Sequence, residues 1–258
     1  MNKKIVWIVL FVIVGSISAW YFSTWKTAQD HPSVVSLPLA VVEGPQPQAT
    51  YPVMDIPIPL TPLPDPLPKS ESVLIESLSE LIGPEFLDSH FILEQLISRI
   101  VATIDSLDHR QLAPLVLPVK SATGKFQVLE GESIGIDPAN AQRYSAYVQI
   151  VTAVDTIKLI ELYVTYYSLF QEAYSELGHG DEYFNDRLID VLDHLLQTPE
   201  VAGDVVLLKH EAVYVYADES LEALSAGQKL LLRIGSSNGA VLVDKLEEIR
   251  SVLTRQNI

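Results

Sequence analysis

The 258-residue chain has no cysteine. That excludes disulfides, thiolate nucleophiles and thiolate metal ligands, and with them anchoring through a lipid-modified cysteine. Positive charge is scarce: 17 Lys and Arg stand against 33 Asp and Glu, a formal charge of −16. Lys3, Lys4 and Lys26 fall within the first 26 residues, so the remainder is more acidic still. Nucleic acid and anionic lipid surfaces are poor partners for it, because such binding rests on neutralising phosphate with Lys and Arg. Tryptophan is confined to the first 25 residues. Serine-nucleophile elbows, Walker loops, dinucleotide glycine patterns and HExxH are all missing, so no enzyme class is announced and no cofactor is implied. Paired carboxylates for glycoside cleavage have no fixed sequence spacing and stay open on this reading.

What is present begins with an apolar run. Residues 5–25 are uncharged, rich in Ile, Val, Leu and aromatics, and framed by Lys3, Lys4 and Lys26. A bilayer core of roughly 30 Å needs about 20 helical residues, so the run predicts one transmembrane helix. Trp20, Tyr21, Phe22 and Trp25 stand where an interfacial aromatic belt sits. The positive charge ahead of the run puts residues 1–4 in the cytoplasm and the bulk of the chain outside it. A cleaved signal peptide is the competing reading, with Ser16, Ser18 and Ala19 near a processing site. The run exceeds a signal core of about 7–15 residues and aromatics follow the small residues, which favours a retained anchor.

Eleven of the 16 prolines fall between Pro32 and Pro68. Proline fixes φ and removes a backbone donor, so neither a helix nor a paired strand runs through residues 56–68, where it recurs about every second residue. Residues 26–69 therefore read as a disordered Pro-rich linker, with a docking motif for an aromatic groove as the alternative.

Residues 70–256 read as one folded domain, mainly α with a small β component (α+β): a helical body with a short hairpin. Val73, Leu74, Leu78, Leu81 and Ile82 predict a first helix closed by Gly83 and Pro84. Ile92, Leu96, Ile100 and Ile104 predict a second over 91–107. Thr123-Gly124 and Glu130-Gly131 mark turns, with Phe126 and Val128 alternating with polar residues, so a small hairpin is expected within 115–136. Asp137-Pro138 opens a helix faced by Tyr144, Tyr147, Val151 and Val154. Asp155 caps the next, 156–177, whose polar residues Lys158, Glu161, Thr165, Ser168, Glu172 and Ser175 make one narrow stripe. That helix is expected at the centre of the core, buried on most sides. A helix follows over 182–197, then extended chain over 205–216. Ser225 and Gln228 have capping-box spacing for a short helix stopping at Gly235. A last helix over 238–254 carries Leu242, Leu246, Ile249 and Leu253 on one face.

The densest polar constellation is Asp186, Arg187, Asp190, Asp193 and His194. Asp186, Asp190 and His194 are four apart and would stack on one side of a helix, where Asp190 could orient His194 as a general base or neighbours could share a metal. Asp186 and His194 would lie about 12 Å apart along the axis, too far for one ion, so no metal set is assigned. The structural reading pairs Arg187 with Asp190 or with a carboxylate on another helix, and has His194 donate to Asp190. Tyr174 and Tyr183, among nine tyrosines beyond residue 69, could face a ring-bearing ligand or serve the core. Lys229 and Arg233, one turn apart, could seat a carboxylate or phosphate; a solvated face is the plainer reading.

The strings Gln171-Glu172-Ala173-Tyr174, Glu176-Leu177-Gly178, Tyr183-Phe184-Asn185-Asp186-Arg187-Leu188, Asp193-His194-Leu195-Leu196, Thr198-Pro199-Glu200 and Leu224-Ser225-Ala226-Gly227-Gln228-Lys229-Leu230-Leu231-Leu232-Arg233 resemble the bacterial family called domain of unknown function 3014. The likeness covers about residues 70–255 and extends to the order of anchor, spacer and domain. It implies a proteobacterial origin and hence the periplasm for an exported domain, and it transfers no activity. The expectation is a single-pass inner-membrane protein, held by residues 5–25, whose domain binds an envelope protein. The alternative is an envelope hydrolase using Asp186, Asp190 and His194, with or without the assistance of a metal ion.

Overall fold

Helix boundaries follow the local chemistry closely in the middle of the chain. At Val154 and Asp155 the backbone turns extended, and the Asp155 carboxylate accepts the N–H groups of Ile157 and Lys158 at 3.0 and 3.3 Å. Those donors have no partner inside the helix, so the cap starts it there. Asp137 does the same for the 3-10 turn Pro138–Tyr144, accepting from Ala139 N–H. Ser225 and Gln228 form the expected reciprocal capping box.

The computed structural model describes residues 48–57, 70–201, 203, 205–211 and 213–255. The expected transmembrane run lies outside these residues, and no helix among them is long and apolar enough to cross a membrane. The helices are α1 Glu71–Ile82, α2 Pro84–His90, α3 Leu96–Ser106, α4 Ser145–Ala153, α5 Thr156–Glu176, α6 Phe184–Leu196, α7 Glu219–Glu222, α8 Ala226–Arg233 and α9 Ser236–Leu253. The strands β1 Val128–Leu129, β2 Ile134–Ile136, β3 Val206–His210 and β4 Val213–Tyr216 form one antiparallel sheet in the order β1-β2-β3-β4. The domain is thus mainly helical with a small sheet, as the sequence predicts.

The sheet is two hairpins far apart in sequence. Val128 pairs with Ile136 in the first and Leu207 with Tyr216 in the second, and they join through Ile134 opposite Leu207. Helices α4, α5 and α6 lie in the chain between them. Asn140, buried, bonds both backbone groups of Gln127 and the Asp137 carbonyl, tying the first hairpin to the helical body.

In that body α5 packs against α1, α3, α6 and α9, while α9 also contacts α4, α6 and α8. Phe170, Phe184, Val191, Leu192, Leu195, Leu242 and Leu246 are wholly inaccessible. Leu74 and Leu78 of α1 and Leu96, Ile100 and Ile104 of α3 extend the same core.

Several boundaries differ from expectation. The second helix begins at Leu96, because Phe91 pairs with Val119 in a β-bridge and Gln95 adopts a left-handed conformation (φ 55°). Gly83 (φ 88°) ends α1 and immediately opens α2, with Pro84 as its first residue. The sequence pattern alone predicts only a stop at that pair. α5 is buried along one face; Leu162, Val164 and Leu169 are half-buried and Ile157 is exposed, so it is central without being enclosed. The last helix starts at Ser236, directly after Gly235.

The stretch read as linker also needs correction at one place. Residues 48–57 lie on the domain, with a 3-10 turn over Val53–Asp55 and with Val53 and Ile56 buried in the main core. The remainder of the predicted linker lies outside the described residues.

Candidate functional site

The first turns of α6 send consecutive side chains to different destinations. Phe184 enters the core and stacks on Phe170 with ring centroids 6.0 Å apart. Asn185, also buried, accepts from the Tyr163 hydroxyl (3.1 Å) and donates to the Tyr51 carbonyl (2.7 Å). Asp186 accepts the Thr50 and Tyr51 N–H groups, one on each carboxylate oxygen, both at 2.8 Å. Arg187 turns the other way, toward α3.

That guanidinium is gripped by two carboxylates. Nε donates to Asp105 Oδ1 at 2.7 Å, Nη1 and Nη2 donate to the two oxygens of Asp108 at 2.8 Å, and Nη2 also reaches the Asp105 carbonyl. Bidentate pairing of this kind is geometrically specific as well as strong. Burial alone would push the Asp108 carboxyl up; the hydrogen bonds and charge of Arg187 outweigh it and hold the group below its ordinary value. Burial likewise disfavours the charged Arg187, yet the hydrogen bonds it donates to Asp108 and Asp105 hold it cationic and raise its pKa.

The network continues at the C-terminal end of α5. His179 lies 3.7 Å from Asp105 and 3.1 Å from Glu182, and its ring stacks on Tyr174 at 4.4 Å with a 7° interplanar angle. The Tyr174 hydroxyl donates to Glu182 at 2.9 Å. Burial, then the carboxylate of Glu182, pushes that phenol well above its usual range. Tyr174, His179, Glu182, Asp105, Asp108 and Arg187 thus form one partly exposed polar cluster where α3, α5 and α6 meet.

The expected stack of Asp186, Asp190 and His194 does not work as a unit. Both oxygens of Asp186 are committed to backbone N–H groups, Asp190 is exposed, and no hydrogen bond joins Asp190 to His194. His194 Nε2 is buried without a hydrogen-bond partner among the described residues. The same residues contain no group of three His, Asp or Glu that could hold a metal. Asp193 pairs instead with Arg250 of α9, through Nε to Oδ1 and through Nη2 to Oδ2 at 3.0 Å.

Lys229 and Arg233 do not form the solvated basic face the sequence suggested. Lys229 is buried, and its ammonium donates to the Glu222 carboxylate and carbonyl, both at 3.1 Å. The Arg233 guanidinium lies 5.1 Å from the centre of the Tyr216 ring. Tyr183 precedes α6 and is partly exposed. Of the binding candidates, Tyr174 and Arg187 share one cluster, and Lys229 and Arg233 both meet Tyr216. Asp105 and Asp108 went unrecognised because Arg187 lies 82 and 79 positions away in sequence, and His179 and Glu182 because they fall in the turn between two helices, where no helical spacing rule applies.

A family model described as "Protein of unknown function (DUF3014)" matches residues 96–250. The chain belongs to this family. Within the structure the DUF3014 match runs from the start of α3 into the last turns of α9 and takes in both hairpins and the Arg187 cluster. Residues 48–57, α1 and α2 precede it. No curated protein and no solved structure matched the chain.

Proposed function

We propose that this chain is a membrane-tethered binding module of the cell envelope, with residues 5–25 as an inner-membrane anchor and the acidic domain in the periplasm. The observation that supports a binding role is the closure of the polar constellation on α6. Asp186 holds backbone, Arg187 is locked by two carboxylates, and Asp190 does not orient His194, so Asp186, Asp190 and His194 are not assembled as the acid–base set of the hydrolase alternative.

The surface best suited to a protein partner is the outer face of the sheet. Leu129 and Val206 both pair with Gly135, so they share a face, and Leu208 lies two residues along β3 on the same side. Their exposures are 52%, 40% and 55%. Exposed apolar side chains gathered on one face favour association with another protein.

A photo-crosslinking residue at position 208 of the full chain, used in cells, tests this reading. The expected result is a defined adduct that disappears with Val206→Asp and never forms from exposed Glu172. Absence of any adduct from positions 129, 206 and 208 would remove the binding surface. Release of the chain from membranes without detergent would remove the anchor.

A further inference from the structure

We propose that the start of α6, with its seat on α5, is a binding site for a short apolar peptide, and that residues 50–56 of this same chain are its resident ligand, a strap joined to the domain only through residues 57–69. The site is distinct from the sheet surface proposed above and does not depend on that reading.

Recognition is through the backbone. Asp186 takes the N–H groups of Thr50 and Tyr51, and Asn185 gives an N–H to the Tyr51 carbonyl, so both main-chain groups of Tyr51 are satisfied by side chains of α6. Tyr163, buried on α5, fixes Asn185 by donating to its side-chain oxygen, which leaves the amide nitrogen aimed at the strap. Two adjacent residues thereby do what an edge strand does for an added peptide, with a charged acceptor strengthening two of the three bonds.

Side chains supply the second half of recognition. After Pro52 the strap makes one 3-10 turn, closed by Asp55 N–H on the Pro52 carbonyl and Ile56 N–H on the Val53 carbonyl. The turn puts Val53 and Ile56 into the core, both 7% exposed, and leaves Met54 between them 85% exposed. The two inserted side chains stand three residues apart on the inner side of the 3-10 turn, with Met54 and Asp55 exposed between them, so the segment is read at positions 53 and 56. Pro52 and Pro57 lack N–H groups and restrict the free chain, so less entropy is lost on docking. The 12 residues between Pro57 and Ser70 keep the strap at high local concentration.

With residues 5–25 as the anchor proposed above, occupancy also sets the tether. A docked strap leaves residues 26–49 between the anchor and the domain, and a released one adds residues 50–69 to that span.

The test has two arms on the full chain in detergent. Amide exchange on Asp186→Ala is expected to lose protection at Thr50 and Tyr51 by at least about tenfold, with α5 and α6 amides unchanged. Equal protection in both proteins would overturn the clamp. In the second arm, Val53→Ser with Ile56→Ser frees the seat, and a fluorescent peptide of residues 48–57 is added. The expected result is saturable binding that is weaker to the unmodified chain, is lost when Asp186→Ala is added, and is not reproduced by a scrambled peptide. No binding with native α5 and α6 exchange would overturn the proposal. Melting of α5 and α6 by the two serines would overturn it equally, since the strap would then be part of the core rather than its ligand.

Discussion

The helical body and the four-stranded sheet bury apolar surface on different scales. The body shares one core across α1 to α6, α8 and α9, with Phe170, Phe184, Leu192 and Leu246 shut off entirely. The sheet has a separate, smaller cluster in which only Leu207, Tyr216 and Leu221 are buried, backed by partly buried Phe126, Val128, Ile134 and Ile136. Its other face carries exposed Leu129, Val206 and Leu208. With β1 only two residues long and β2 three, the sheet has a short ladder and a small buried cluster of its own, so it leans on its contacts with the body. Stability belongs to the helices, and the sheet is the element free to open locally or to be covered.

The largest effect is expected where the body is densest. Phe170 has ring neighbours Tyr163 at 5.5 Å and Phe184 at 6.0 Å, so truncation leaves a cavity that rigid helices cannot fill. Phe170→Ala should lose about 3–5 kcal/mol in urea unfolding. Leu207→Ala, in the smaller cluster, should lose about 2 kcal/mol and expose β3 amides without unfolding α5. Equal global losses would abolish the distinction between the two regions.

Arg187→Gln tests whether the polar end of the body behaves as core or as surface. Removing the cation leaves Asp105 and Asp108, with side chains 18% and 25% exposed, facing each other, and about 2–4 kcal/mol should be lost at neutral pH. The sign with pH is fixed by Asp108. Its folded pKa lies below the ordinary 3.8, so its contribution is complete above that value and is lost as pH falls through the lower folded value. The gap between wild type and variant should therefore narrow between about pH 5 and pH 2. A constant gap would mean that Arg187 acts through packing alone.

Local signals in the sequence located most of this fold. Asp155, Asp137 and the Ser225–Gln228 box set helix starts because capping is a matter of two or three residues. Leu242, Leu246, Ile249 and Leu253 gave the buried face of α9 by period alone. What escaped was tertiary. Gly83-Pro84 reads equally as the end of one helix or the start of another, and here it is both. Lys229 looked solvated because its partner Glu222 lies outside α8. Asp186 looked like a catalytic acid because nothing in its own helix shows that Thr50 and Tyr51, about 135 residues earlier, come back to meet it. The same distance hid the docked strap inside a proline-rich stretch, where composition argues only against regular secondary structure.

The smallest expected effect lies at the hinge between the two regions. Tyr216 closes β4, is 2% exposed, and donates its hydroxyl to the Lys229 carbonyl of α8 at 3.1 Å. Glu222 accepts from the Tyr216 N–H and from the Lys229 ammonium, so three residues couple the sheet edge to the body. Tyr216→Phe keeps the ring beneath Arg233 and removes the hydroxyl, with its bond to the Lys229 carbonyl and its contact with the Arg233 guanidinium. The loss should be about 1 kcal/mol. If the sheet opens as a unit that leans on this bond, amide exchange should quicken across β3 and β4 while α5 and α6 stay protected. If exchange quickens throughout the chain, sheet and helices unfold together, and the outer sheet face has no independent motion with which to accommodate a partner.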